Sequence, residues 1–219
     1  MSTSSRSPSA SVRVGAGMVG LGVVQYLAAM VIVQAAYPGY SDTTNYISDL
    51  GNTATSPWHA VFNVSIILFG ILAFVGILLM WTSFPRGGTR PVGLLLLLVA
   101  SVSAILVGVF PENVNPTVHD IVTLTVFGPG GLALLVLAAG MRRGTDWYWL
   151  RGVSVGLGLI MLVSLAYYVP TQLNNTTWDP GLIERFIVAP IMIWGFLVAV
   201  QVARHPSPGP PASAVAAGA

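Results

Sequence analysis

Two histidines stand at the start of apolar stretches, each with acids close by in the chain. His59 follows Ser56-Pro57, with Asp49 upstream and Asn63 one helical turn downstream. His119 follows Asn115-Pro116, with Asp120 beside it and Glu112 a short loop before it. Imidazoles and carboxylates gathered in one place do two kinds of chemistry: they bind a divalent metal, or they act as general acid and base on a water. The candidate catalytic residues are therefore Asp49, His59, Glu112, His119 and Asp120, and the candidate metal ligands are His59, His119 and Asp49. No HExxH motif and no His pair one turn apart occurs within a single stretch, so either chemistry needs convergence from different elements. The plainer alternative is a structural network in which the same side chains cap helices or tie loops down.

The elements that must position these residues follow from composition. Of 219 residues only 7% are charged and 54% are hydrophobic, with a mean hydropathy of +0.78. A soluble domain carries roughly 25% charged residues, so a water-soluble globule is excluded and lipid is the solvent for most of the chain. Stretches of about 20 apolar residues, enough to cross a hydrocarbon core of about 30 Å, fall near 15–37, 58–82, 91–111, 117–141, 152–171 and 183–203. The expected fold is all-α: a polytopic bundle of six transmembrane helices arranged as three hairpins, occupying residues 15–203. The Ser-rich segment 1–14 and the Pro/Ala-rich segment 204–219 are expected to be disordered cytoplasmic tails.

Charge placement orients the bundle. All nine basic residues are Arg, and eight of them flank one set of loops; only Arg185 lies on the other side. That other side carries Asp42, Asp49, Glu112, Asp120, Asp179 and Glu184, six of the seven acids. Arginine-rich loops stay cytoplasmic, so the sequence predicts both termini inside, the acidic face outside, and a multi-pass protein of the plasma membrane. Trp147, Tyr148 and Trp149 are expected to mark the inner interface. The dipeptides Ser56-Pro57, Asn115-Pro116 and Asp179-Pro180 read as helix starts, a polar cap followed by Pro.

The first outer loop spends the most polar residues. Asp42 is expected to cap a short helix over 43–50, which Gly51 would end in the left-handed region. Such a helix would lay Tyr46, Ile47 and Leu50 in the membrane interface and turn Asn45 and Asp49 to the other face. With Ser48, Gly51, Asn52 and Asn63, these residues complete a candidate polar pocket at the acidic end. Elsewhere, Glu184 and Arg185 read as a local ion pair, and Gly152-x-x-x-Gly156 as a close helix contact. Gln25, Gln34, Ser101, Ser103, Thr123 and Thr125 read as interhelical hydrogen-bonding partners.

Several classes are excluded or disfavoured, a transporter among the latter. There is no Cys, so disulfides and thiolate chemistry are excluded. No basic stripe supports a nucleic-acid partner, and no charge in the central half of any span supports a proton- or ion-coupled carrier.

The segment Asn45-Tyr46-Ile47-Ser48-Asp49-Leu50-Gly51-Asn52, then Asn63, then Gly108-Val109-Phe110-Pro111-Glu112 and His119, resembles the DUF998 family of six-helix prokaryotic membrane proteins. The likeness extends over nearly all of 15–203. More distantly, Ile47-Ser48-Asp49-Leu50-Gly51 is similar to a loop of the autophagy-modulator and GPI-lipid-remodelling membrane proteins, with Leu50 where those have Thr. The resemblance implies the fold and the motif positions Ser48, Asp49, Gly51, Glu112 and His119, and lends weight to a lipid partner. The expected function is an outward-facing polar pocket that binds or processes a lipid or lipid-linked group, with a divalent metal as a candidate cofactor. The competing reading is a non-catalytic scaffold or accessory subunit.

Overall fold

The computed structural model describes residues 10–174, 176 and 178–204. Six α-helices account for most of them: α1 Ala10–Ala36, α2 His59–Met80, α3 Thr89–Val109, α4 Pro116–Gly140, α5 Tyr148–Leu173 and α6 Pro180–Arg204. Single 3-10 turns occur at Ser48–Gly51 and Trp81–Ser83, and no strand occurs among the described residues. All six helices are long and apolar enough to cross a membrane, as the hydropathy predicts. α1 begins at Ala10 rather than near 15, because Ser11 and Arg13 fit a helix even where they do not fit an apolar window. Of the tails expected at 1–14 and 204–219, residues 10–14 and Arg204 are helical, and the rest lies outside the described residues.

The helices follow one another around a ring. Each packs on its neighbour in the chain, and α6 returns to α1. Helices that are apolar all round, as these are, have no polar face to tell them how to turn. Close approach is instead set by glycines that let backbones meet. A Cβ on Gly15 would stand 2.8 Å from the Gly76 carbonyl across α1 and α2, and one on Gly70 would stand 2.7 Å from the Ser101 carbonyl across α2 and α3. Between α4 and α5 the contact is Gly158 against the Gly131 carbonyl, at 3.1 Å.

Gly152 and Gly156 make no such contact, contrary to the sequence reading: a Cβ on either meets nothing within 4 Å. Gly158 is two positions beyond Gly156, about 200° around the helix, and that turn takes the pair from the packed face to the open one.

At the arginine-rich end the core gathers around Phe84 and Trp147, whose ring centroids are 5.0 Å apart. Trp147 is only 1% exposed and marks no interface; of the expected belt, Tyr148 and Trp149 are exposed. Trp149 donates to Gln201 Oε1 (2.8 Å), which ties α5 to α6 there.

At the acidic end the helix starts differ in kind. Asn115 caps α4 as expected, its side chain accepting from the Val118 amide at 3.2 Å with Pro116 in the first turn. Ser56 does not cap α2. The helix begins at His59, and the buried Ser56 hydroxyl has no partner among the described residues.

Candidate functional site at the acidic end

The first loop folds onto the bundle rather than into the membrane interface. No helix spans 43–50; the chain makes turns through residues 42–45 and one 3-10 turn at Ser48–Gly51. Asp42 caps nothing. It accepts from Gln34 (3.0 Å) and pairs with Arg185 (2.5 Å). Asp49 takes over the local organisation, its Oδ2 accepting from Asn45 Nδ2 (3.0 Å) and from the Tyr46 amide (2.9 Å). A carboxylate that satisfies the amide three residues back competes with a continuous helix, which is why the expected one does not form. Ile47 and Leu50 are 3% and 0% exposed and pack with Tyr26, Phe62 and Val188, so their apolar face meets protein rather than lipid.

Two helices and the segment before α4 hold this loop. Asn63 on α2 donates to the Gly51 carbonyl at 2.9 Å. Gly51 is required by that approach and not by a left-handed backbone: a Cβ there would collide with Asn63 Oδ1, and its φ is not positive. Just before α4, Glu112 Oε2 accepts from the Ser48 hydroxyl (2.7 Å), and Asn52 reaches Glu112 Oε1 at 3.5 Å. On α6, Glu184 accepts from the Ile47 amide, and the Leu182 amide donates to the Thr43 carbonyl at 3.2 Å.

Glu184 and Arg185 are not an ion pair. Adjacent residues on a helix point about 100° apart. Glu184 turns inward to the loop, while Arg185 turns to Asp42, Tyr40 Oη (3.1 Å) and the Gly181 carbonyl (2.9 Å).

Between the loop, α4, α5 and α6 lies a cavity of about 210 Å³. Its polar lining includes Tyr46, Ser48, Glu112, His119, Asp120, Thr123, Tyr168, Gln172 and Glu184; Leu124, Phe127, Leu165 and Leu173 supply apolar wall. The register explains the gathering. His119, Thr123 and Phe127 recur every four residues along one face of α4, and Leu165, Tyr168, Val169, Gln172 and Leu173 recur at three and four along α5. At the rim, Leu124 is 42% exposed and Leu173 80%. A smaller cavity of about 40 Å³ continues inward past His119, Thr123 and Glu184 toward Phe62 and Val188.

The two histidines part company here. His119 is buried, and its Nδ1 donates to the Phe110 carbonyl at 2.8 Å. His59 Nδ1 donates to the Ser56 carbonyl at 2.9 Å, which closes the turn just before its own helix, and His59 is absent from the cavity lining. Among the described residues no three His, Asp or Glu side chains are grouped to hold a metal ion, so the set His59, His119 and Asp49 is not assembled. Glu112 and His119 do meet, with the exposed Asp120 at the lip. Burial pushes the Glu112 carboxyl above its ordinary range; the Ser48 bond opposes this, the neighbouring Asp49 reinforces it, and His119 lowers it. A half-buried acid beside a histidine whose second nitrogen has no partner among the described residues is suited to holding or passing a proton.

The family model described as "Protein of unknown function (DUF998)" matches residues 20–201. The chain belongs to the DUF998 family. No curated protein and no solved structure matches it. In this DUF998 chain the match runs through all six helices and both sides of the cavity.

Sequence reasoning brought Ser48, Glu112, His119 and Asp120 to the cavity and missed Glu184, Thr123, Tyr46, Tyr168 and Gln172. For Glu184 a signal exists: Gly181, Glu184 and Val188 share one helical face, and a Cβ on Gly181 would collide with the Asn45 carbonyl, so this face is the one the loop covers.

Proposed function

We propose that this chain is a multi-pass plasma-membrane protein that holds the headgroup of a membrane lipid in the acidic-end cavity, on the outer side. The lipid tail lies along the flank between α4 and α5. One observation carries the reading: buried ionisable groups and an apolar wall share a single cavity whose rim, at Leu124 and Leu173, is exposed on the side of the bundle. A soluble ligand has no use for an apolar rim at membrane depth, whereas a lipid needs both surfaces at once. The volume is that of about seven waters at roughly 30 Å³ each, room for a headgroup and not for a whole lipid. Glu112, His119 and Glu184 face the headgroup. Asp49, Asn45, Gly51 and Asn63 act as positioning residues that hold Ser48 against Glu112.

The test is mass spectrometry of lipids and metals that stay with the intact protein after detergent extraction. A lipid species is expected on the wild type and lost from Thr123→Trp, which fills the cavity from α4, while helix content is retained. Equal lipid retention by both proteins overturns the reading and leaves the scaffold role.

A further inference from the structure

Within the lipid-binding reading, on which this rests, we infer that the headgroup selected by the cavity carries a protonated primary amine. Charge is the first ground. The lining holds three acidic side chains, Glu112, Asp120 and Glu184, and no Arg or Lys. Arg185, next to Glu184 in the chain, is turned away and occupied by Asp42, Tyr40 Oη and the carbonyls of Gly181 and Asn45. A phosphate would find no Arg or Lys here and three acids as neighbours, and charge across a partly buried cavity is poorly screened.

Protons are the second and independent ground. A carbonyl only accepts, so the His119 Nδ1 that bonds to Phe110 carries the ring proton. In the neutral ring Nε2 is then an acceptor. His119 is 7% exposed, lines the cavity, and its Nε2 has no partner among the described residues. Thr123 Oγ1 is buried on the next turn of α4, also unpartnered. Two of the nearby hydroxyl protons are committed: Ser48 donates to Glu112 and Tyr46 to Gln172, both at 2.7 Å. The cavity thus offers acceptors, the oxygens of its three acids and His119 Nε2, which a ligand that brings several donors together with positive charge complements. A primary ammonium has three N–H donors on one cationic centre, and Tyr168 offers an aromatic wall of the kind that attracts a cation. A quaternary ammonium brings the charge without the donors and leaves His119 Nε2 and Thr123 unmet.

The same ammonium chemistry occurs on a lipid or on a free amine, and the probes separate the two. Intact protein in detergent is titrated with short-chain phosphatidylethanolamine, its N-acetylated derivative, phosphatidylcholine and phosphatidylglycerol, and with free ethanolamine, by native mass spectrometry. Phosphatidylethanolamine is expected to bind at least about tenfold tighter than the other three lipids and than free ethanolamine. Glu184→Gln together with Glu112→Gln is expected to bring the lipid preference within about twofold. Asp120→Asn, exposed at the lip with no hydrogen bond among the described residues to lose, is expected to weaken the preference on its own and carries the test if the double variant does not fold. Equal binding of all four lipids, or preference for phosphatidylglycerol, overturns the amine inference and leaves lipid binding standing. Free ethanolamine binding as tightly as the lipid keeps the amine preference and overturns the lipid reading. No binding of any probe overturns both.

Discussion

Gly51→Ala isolates the contact on which the loop's position depends. The backbone at Gly51 is not in the left-handed region, so an alanine brings no intrinsic strain, only a methyl group. That methyl collides with Asn63 Oδ1 and comes within 3.3 Å of Phe62 Cδ1. Asn63 must turn away, and its 2.9 Å bond to the Gly51 carbonyl is lost. Overpacking typically costs about 1–3 kcal/mol and an orphaned buried polar group about 1–3 more, so with partial relaxation the variant should lose about 2–4 kcal/mol. Asn63→Ala removes both the bond and the obstacle; alone it should cost about 1–3 kcal/mol. On that background Gly51→Ala should add less than about 1 kcal/mol, a coupling that a double-mutant cycle reads directly. Thermal melting of the detergent-purified proteins measures it, at about 2–4 °C per kcal/mol for a chain of this length. Because Ser48 rides on the same turn, the single variant should also retain less copurifying lipid. If Gly51→Ala costs the same with and without Asn63, the docking argument is wrong.

Other expectations follow from the same contacts. Glu112 is held above the ordinary carboxylate range, so its contribution to stability is complete at low pH and falls as pH rises through the raised value. Glu112→Gln should remove that fall, melting at or above the wild type near neutral pH, and melting curves between about pH 4 and pH 8 check the sign. Asp42 is largely exposed, so Asp42→Asn should cost less than about 1 kcal/mol. Arg185→Ala also strips donors from Tyr40 and the Gly181 carbonyl and should cost about 1–3 kcal/mol by the same melting assay. On α5, Gly156→Ala faces open space and should stabilise by up to about 1 kcal/mol. Gly158→Ala, 2.9 Å from Leu135 Cδ2, should destabilise by about 1–3 kcal/mol, and a reversed order would mean that α5 is rotated from its place here.

How much of this was legible in the sequence depends on the physics behind each feature. Six helices could be read because lipid imposes a length and a polarity on every span, and the DUF998 likeness, read from the loop residues, agrees with the family model that matches residues 20–201. The packed face of α5 could not, since a Gly-x-x-x-Gly spacing is the same whether the face is covered or open. The loop misled for a related reason. Helix-start signals are local, whereas Asp49 turns back on Asn45 and Tyr46 only because Gly51 and Ile47 are pinned by α2 and α6. Glu112 and His119 were legible as unusual polar groups at helix ends. Glu184 was hidden by its neighbour, because a Glu-Arg pair looks self-sufficient until the helix separates the two side chains.

The central claim is that lipid occupies the cavity between α4 and α5, and photo-crosslinking tests it most directly. A diacyl phosphatidylethanolamine with a diazirine close to its headgroup is irradiated with the intact protein in a bilayer, and the labelled peptides are mapped. Labels should concentrate on the cavity walls, over 119–128 of α4 and 165–173 of α5, and should fall when Thr123→Trp fills the space. Labels spread evenly around the lipid-exposed faces of all six helices, unchanged by that substitution, would contradict it.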